Sequence, residues 1–304
     1  MKILLIRSGG LGDCILTLPI AQHIRHIYPG AELHVLGNET MLAVARFSGE
    51  FEGFNSIDER GFSGLYSESK PSDFLRLFFS RFDVVYCYSA GNKELLSRNI
   101  LNSGAGMCHL LDPRPPRNHC SHILEHLITI FNGNNKEISD NTEIYNLNKT
   151  RRELSVFSKK DGKKLVVHPG SGSISKNWPI DRYLYVAERM RMHVTFLLGP
   201  AEIERSPVKD IPESNYVIIC PENISKLSSM LAEASLYIGN DSGVSHLASF
   251  CGTPSIVLFG PTDPAIWRPL GSNVTVISSP DRTINGISAD EVVAKVREVM
   301  NGEL

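Results

Sequence analysis

Apolar and polar positions in this chain come in blocks. Short apolar runs of strand length, closed by Gly, Ser, Asn or Asp, alternate with stretches whose apolar residues recur at helical spacing. The first run, Lys2 to Arg7, reads as a buried parallel strand closed by Ser8-Gly9-Gly10-Leu11-Gly12-Asp13. Cys14 to Tyr28 carries a helical pattern and stops at Pro29-Gly30. Pro19 inside that pattern predicts a late start or a kink, because proline brings no N–H. Glu32 to Leu36 is a second strand, which completes a right-handed βαβ unit. Met41 to Arg46 predicts a helix, Phe54 to Ile57 a strand, and Gly61 to Ser72 a surface loop. The Phe74 to Phe82 run is apolar around most of a helical circumference, so it is either buried or in contact with lipid, burial being the default. Strands at Asp83 to Tyr88 and Gly106 to Leu111 complete the first series.

Asn134 to Lys149 is polar with weak periodicity and marks the approach to a boundary, with a linker near 140–160. A second series follows, with strands at Lys164–His168, Val194–Leu198, Tyr216–Ile219, Leu236–Ile238, Ser255–Phe259 and Val274–Ile277. Helical patterns fall between them at Asp181–Arg191 and Ile224–Ala234. The alternation predicts an α/β fold of two Rossmann-like halves, residues 1–150 and 160–285, with a crevice between them. An amphipathic helix, Ala289 to Met300, follows, with Val292, Val293, Val296 and Val299 on one side.

Whole-chain numbers narrow the class. A length of 304 residues suits two domains, and 42% hydrophobic with 21% charged residues suits a soluble globular protein. A formal net charge of -2 offers no bulk attraction for nucleic acid. Six cysteines without a C-x-x-C pair read as reduced thiols in a cytosolic protein. The apolar run at Met1 to Arg7 is too short for a signal peptide, and no run reaches membrane-spanning length, so a cytoplasmic protein is expected.

Ligands of such sheets bind outside the carboxyl ends of the strands. Four loops there have unusual content. Ser8 to Asp13 has G-G-x-G spacing, which departs from the G-x-G-x-x-G dinucleotide fingerprint. Asp13 is either a helix N-cap or a general base. His168-Pro169-Gly170-Ser171-Gly172-Ser173-Ile174-Ser175-Lys176-Asn177-Trp178-Pro179 combines Gly, Ser and Lys in a way that suits a diphosphate, without Walker A spacing. Asp241-Ser242-Gly243-Val244-Ser245-His246 joins a strand to a helix start, which is an anion site or an ordinary cap. Phe259-Gly260-Pro261-Thr262-Asp263-Pro264 offers Thr262 and Asp263 from a proline-fixed loop. The cluster His119, His122, His126 and Cys120 has one metal-like spacing and no second pair. With Arg114 and Arg117 it reads instead as a partly basic wall for an anionic acceptor, and no metal is expected.

Together these motifs resemble glycosyltransferase family 9, the ADP-heptose:lipopolysaccharide heptosyltransferases. The match runs through Arg7-x-x-x-x-Gly12-Asp13 and Pro19, His168-Pro169-Gly170-Ser171, Lys176-x-Trp178-Pro179 and Gly199-Pro200-x-Glu202. It continues through Asn240-Asp241-Ser242-Gly243-x-x-His246-x-Ala248, Gly252-Thr253-Pro254 and Phe259-Gly260-Pro261-Thr262. The resemblance implies the GT-B fold, with the helix at 289–300 packed back on the N-terminal domain. It implies an inverting transfer of heptose to a lipopolysaccharide inner-core acceptor, independent of metal and of any cofactor. Asp13 then matches the general base, and Ser171, Ser173, Lys176 and Glu202 match donor-binding positions. Asp241 matches the carboxylate that holds sugar hydroxyls, Ser242 and Gly243 meet the diphosphate, and His246 faces the same pocket. Arg7, Gly10, Arg114 and Arg117 fall on the acceptor side. The implied partners are a nucleotide-sugar donor and a lipid-linked oligosaccharide, with no nucleic acid. Peripheral contact with the inner face of the cytoplasmic membrane is hinted at by Phe74–Phe82 and by the Arg114/Arg117 segment. The alternatives are a GT-B enzyme with another nucleotide sugar, including an epimerase, and a binding protein without catalysis.

Overall fold

The computed structural model describes residues 1–133, 164–190, 192–199, 211–212 and 216–301. The linker expected near 140–160 lies outside these residues. The chain divides into two compact units, Met1–Tyr145 and Asn146–Leu304.

The first unit is a parallel sheet of five strands: β1 (Lys2–Arg7), β2 (Glu32–Gly37), β3 (Gly53–Ser56), β4 (Val84–Tyr88) and β5 (Met107–Leu111). Their spatial order is β3-β2-β1-β4-β5. β1 and β4 are apolar runs because helices cover both of their faces, so neither face needs polar residues. The helices are α1 (Leu11–Ile27), α2 (Glu39–Ser48), α3 (Asp73–Phe79), α4 (Lys93–Asn102) and α5 (Ile123–Gly133). Asn38, Ser72 and Asn92 cap α2, α3 and α4 by accepting a backbone N–H in the first turn. α2 closes on Gly49 at φ 69°, a left-handed turn that glycine adopts without a Cβ clash.

Two expectations change here. The helix after β1 begins at Leu11 and runs through Pro19 as one element, with no late start. The loop expected at Gly61–Ser72 opens as a 3-10 turn, Arg60–Tyr66, whose Phe62 and Leu65 are buried. Phe62 meets Phe74, Phe78 and Phe79 edge-to-face at centroid distances of 5.1, 4.8 and 6.5 Å. The Phe74–Phe82 run is therefore split. Leu75, Phe78, Phe79 and Phe82 enter the core, each worth about 1.5–3 kcal/mol of burial, while Phe74 and Leu77 stay exposed.

The second unit is a parallel sheet of six strands: β6 (Lys164–His168), β7 (His193–Leu197), β8 (Val217–Ile219), β9 (Leu236–Asn240), β10 (Ser255–Phe259) and β11 (Val274–Ser278). Its order is β11-β10-β9-β6-β7-β8. The helices are α6 (Ile180–Arg189), α7 (Ile224–Glu233), α8 (Gly243–Phe250), α9 (Pro264–Trp267) and α10 (Ala289–Asn301). The apolar face of α10, Val292, Val293 and Val296, joins the core formed by α6 and β6, β7, β9, β10 and β11. The resemblance set the helix at 289–300 on the first unit; its valines lie in the core of the second beside Tyr183, Val186 and Ala187 of α6.

Candidate active site

In each sheet the strand order reverses once, between β1 and β4 in the first and between β6 and β9 in the second. Connections on either side of a reversal run to opposite faces, which opens a crevice at the carboxyl ends of the two strands. Three of the four loops singled out by their composition leave the sheets at these two places, and the fourth follows β10, beside β9.

In the second unit, β6 and β9 end level, His168 opposite Gly239. Asn240 ends β9 fully buried. Its Nδ2 donates to the Pro169 carbonyl at 2.7 Å, and its Oδ1 accepts from the Trp178 N–H and the Tyr183 hydroxyl, both at 3.0 Å. Trp178, itself buried, donates its indole N–H to the Ile287 carbonyl at 3.0 Å. The Ser-Gly-Lys loop is thus fastened at both ends.

At the end of that loop Lys176 Nζ donates to Asp241 Oδ2 at 2.7 Å, and Thr262 Oγ1 donates to the same oxygen at 2.8 Å. The Lys176 and Asp241 side chains are 28% and 8% exposed. Thr262 comes from the loop after β10, the other neighbour of β9. Three adjacent strands therefore supply one cluster: a cation, a carboxylate and a hydroxyl, directly before the first turn of α8.

Ser171 Oγ lies 2.6 Å from Asn177 Oδ1 and 2.7 Å from the Ser173 carbonyl oxygen, one of which takes its single proton. Ser173 Oγ is 2.9 Å from Ser175 Oγ. These hydroxyls shape the loop from within. Ser242 occupies the N-cap position of α8 without a capping side-chain bond. Its hydroxyl sits 3.3 Å from Ser245 Oγ and 3.5 Å from His168 Nδ1. Gly243 begins the helix, and His246, one turn on, is buried. The structure brings Lys176, Asp241, Ser242 and Gly243 to one strand-end cluster. Glu202 lies outside the described residues.

In the first unit, Asp13 stands in the third position of α1 with Gly10 as N-cap, so it is not the cap itself. Its Oδ2 accepts the Gly10 N–H at 3.2 Å, the reciprocal half of a capping box. Its Oδ1 takes a 2.9 Å ion pair from Arg7, the last residue of β1. The Arg7 side chain is 8% exposed and that of Asp13 48% exposed. A buried guanidinium thus aims a solvent-facing carboxylate, and Arg7 is spent on Asp13. Gly10 contributes its N–H. Gly9 contributes room, since a Cβ there would lie 2.8 Å from Asp13 Cβ and 2.9 Å from Oδ2.

Arg114 grips Asp112 with Nε at 3.0 Å and a terminal nitrogen at 2.8 Å, and Lys93 stands 3.6 Å away. The Arg114 hydrogen bonds hold the Asp112 carboxyl well below the usual carboxylate range. Arg117 is exposed. His119 and His126 meet edge-to-face at 5.6 Å, and His126 Nε2 lies 3.1 Å from the Asp112 carbonyl oxygen. His122 precedes α5 and accepts the Leu124 N–H through Nδ1 at 3.2 Å. The three histidines therefore do not share a helical face.

Gly9 and Arg7's pairing with Asp13 were not readable as contacts, nor was the tie from Thr262 to Asp241. Thr262 was signalled by its proline-fixed loop after a strand and by the family match through Phe259-Gly260-Pro261-Thr262, but not as a partner of Asp241.

Two doubly wound parallel sheets, each with a polar cluster at its strand-order reversal, are the two halves of a GT-B fold. The family model for glycosyltransferase family 9 (heptosyltransferase) matches residues 119–291. "Lipopolysaccharide heptosyltransferase 3" of Escherichia coli (strain K12) is 25% identical over 289 residues, covering 86% of this chain and 83% of that protein. "E. coli heptosyltransferase WaaC with ADP" superposes with a TM-score of 0.76 at 18% identity, covering 98% of this chain and 100% of the other. The same enzyme "with ADP-2-deoxy-2-fluoro heptose" gives 0.72 at 18% identity, covering 98% and 99%. The chain belongs to glycosyltransferase family 9 and is a glycosyltransferase of the heptosyltransferase kind.

Proposed function

We propose that this enzyme transfers heptose from ADP-heptose to a sugar of the lipopolysaccharide inner core, with inversion and without a metal. The observation that carries the reading is the Lys176–Asp241–Thr262 cluster at the start of α8, on the strand-order reversal of its sheet. A departing diphosphate needs positive charge and N–H donors fixed in advance. Lys176 and the first turn of α8, at Ser242 and Gly243, supply both. Ser171, Ser173, Glu202 and His246 complete the donor side in this reading, and Asp241 takes sugar hydroxyls.

Asp13 is the base. Its carboxylate removes the proton of the acceptor hydroxyl as that oxygen bonds to the anomeric carbon. The bond from this carbon to the diphosphate breaks, and ADP leaves with the electron pair. Arg7 and Gly10 hold Asp13 in place; of the two acceptor-side arginines, Arg114 is bound to Asp112 and the exposed Arg117 is the one left for an anionic acceptor. The relatives' lipopolysaccharide names and the ADP-sugar in the E. coli neighbour support this donor and this acceptor. A lipid-borne acceptor sets the work at the inner face of the cytoplasmic membrane.

The test uses purified protein, ADP-heptose and inner-core acceptor. Asp13→Asn keeps the shape of the side chain and its hydrogen-bond acceptor oxygen, so ADP binding stays near wild type while turnover falls by about 10²–10⁴. Turnover that survives chelation of divalent ions agrees with the metal-free reading. A near-wild-type rate in Asp13→Asn sinks the base assignment. A larger thermal shift with UDP or GDP than with ADP redirects the donor to another nucleotide sugar.

A further inference from the structure

We propose that the outer face of α3, with the 3-10 turn at Arg60–Tyr66 and the end of α4, docks on a bilayer surface carrying anionic headgroups. The inference rests on the reading of a lipid-borne acceptor and assigns that reading a surface. Four large apolar side chains stand out from three mutually packed elements: Leu77 at 75% exposure, Tyr66 at 62%, Leu101 at 43% and Phe74 at 41%. Single exposed apolar residues are ordinary, but four on adjoining elements mark a contact surface. Between α3 and the end of α4 runs an open groove of about 530 Å³, lined by Leu77, Arg76 and Ser103–Gly104 among others.

Charge favours an anionic lipid surface as the occupant. Residues 60–81 hold Arg60, Lys70, Arg76 and Arg81 against Glu68 and Asp73, in a chain whose formal net charge is -2. Glu68 pairs with Arg98 of α4 at 2.6 Å and Asp73 with Arg76 at 3.4 Å, which leaves Arg60, Lys70 and Arg81 as the surplus. All four cations are exposed. Arg81 lies 5.9 and 5.8 Å from the Phe78 and Phe82 ring centroids, which fixes its charge beside the apolar side chains. Tyr66 supplies an amphipathic ring of the kind that settles at headgroup depth, and Phe74 adds a purely apolar ring beside it. Among the described residues no helix is long and apolar enough to cross a membrane, so attachment through helices there is by a surface. The Arg114 segment serves this purpose less well, because Asp112 already takes that guanidinium in a bidentate grip.

The experiment is co-sedimentation of the full chain with phosphatidylcholine vesicles and with vesicles that also contain phosphatidylglycerol. Wild type is expected to pellet with the mixed vesicles far more than with phosphatidylcholine alone. Leu77→Glu and Leu101→Glu, both at exposed sites, lower that partition by on the order of tenfold, and Arg81→Gln weakens it in proportion to the anionic lipid. Turnover on a delipidated, water-soluble acceptor stays unchanged in all three variants. Equal pelleting of Leu77→Glu and wild type, or no pelleting of wild type, overturns the proposal. So does self-association in sedimentation velocity that Leu77→Glu abolishes, which would assign the face to a second copy of the chain. Turnover without vesicle binding removes this surface and leaves the proposed activity standing. Vesicle binding without transfer of heptose does the reverse.

Discussion

Lys176 decides whether the cluster at the start of α8 is a ligand site or a structural ion pair. In Lys176→Met the Asp241 carboxylate, 8% exposed, keeps only the Thr262 hydroxyl as a charge-stabilising side-chain partner among the bonds described. Breaking a fully buried pair costs about 3–5 kcal/mol. Lys176 is 28% exposed, so solvent takes up part of the loss, and about 1–3 kcal/mol remains as destabilisation of the second unit. If Lys176 also meets the diphosphate, one charge-assisted hydrogen bond of about 1.5–3 kcal/mol disappears from the complex. ADP then binds about 10- to 150-fold more weakly. The double variant Lys176→Met/Asp241→Asn separates the two effects. It removes the orphaned charge, so melting temperature recovers, while calorimetric affinity for ADP stays low. An ADP affinity in Lys176→Met within about twofold of wild type would refute the ligand role and leave Lys176 a counter-ion.

Asn240→Ala strands the Trp178 N–H, the Tyr183 hydroxyl and the Pro169 carbonyl in the interior. At about 1–3 kcal/mol for each orphaned group, less what rearrangement recovers, urea unfolding should show a loss of roughly 3–5 kcal/mol in the second unit. A loss below about 1 kcal/mol would mean that the loop is held elsewhere. Cys120 and Cys220 are exposed, whereas burial pushes the Cys14 and Cys251 thiols up to about 12 and Cys108 to about 11. Titration with a disulfide reagent near neutral pH should show fast reaction at Cys120 and Cys220, and fast reaction at Cys14, which is fully buried, would contradict its burial. Burial also lowers the pKa values of His23 and His109 below 6.5. The unfolded chain binds protons that the folded one does not, so their contribution is full above that value and is lost as pH falls below it. Melting temperature should drop between pH 7.5 and 5.5, with a shallower slope in His23→Gln; an unchanged slope excludes His23 as a source.

Much of this architecture was legible, for physical reasons. Each strand is an apolar run cut off by turn residues, and burial on both faces forces that pattern, as at Val84–Tyr88. Gly61 misled because glycine usually signals a loop. Here it clears space, since a Cβ on it would lie 2.3 Å from the Phe74 ring. The start of α1 was placed three residues late because Gly10 caps it through backbone, with Asp13 answering from inside the helix. The valines of α10 announced that the helix packs on something, and amphipathicity cannot say on what. At the site, strand-end loops with Asp13, Lys176 and Asp241 stood out by composition. Their pairing with Arg7 and Thr262 did not, because contacts across strands leave no mark in local spacing.

The left-handed glycines Gly30, Gly49, Gly104, Gly252 and Gly271 all stand on connections from a helix into the next strand, at the amino ends of the strands. The reactive loops lie at the other ends, and Gly9 is there for clearance beside Asp13. The turns that return each helix to the next strand and the loops that carry the chemistry thereby fall in different parts of the sequence. A protein engineer can replace Gly30 or Gly49, where a Cβ meets nothing within 4 Å, by asparagine, which tolerates that turn. Selection for heat resistance and selection for a new acceptor can then proceed as separate campaigns and be combined afterwards.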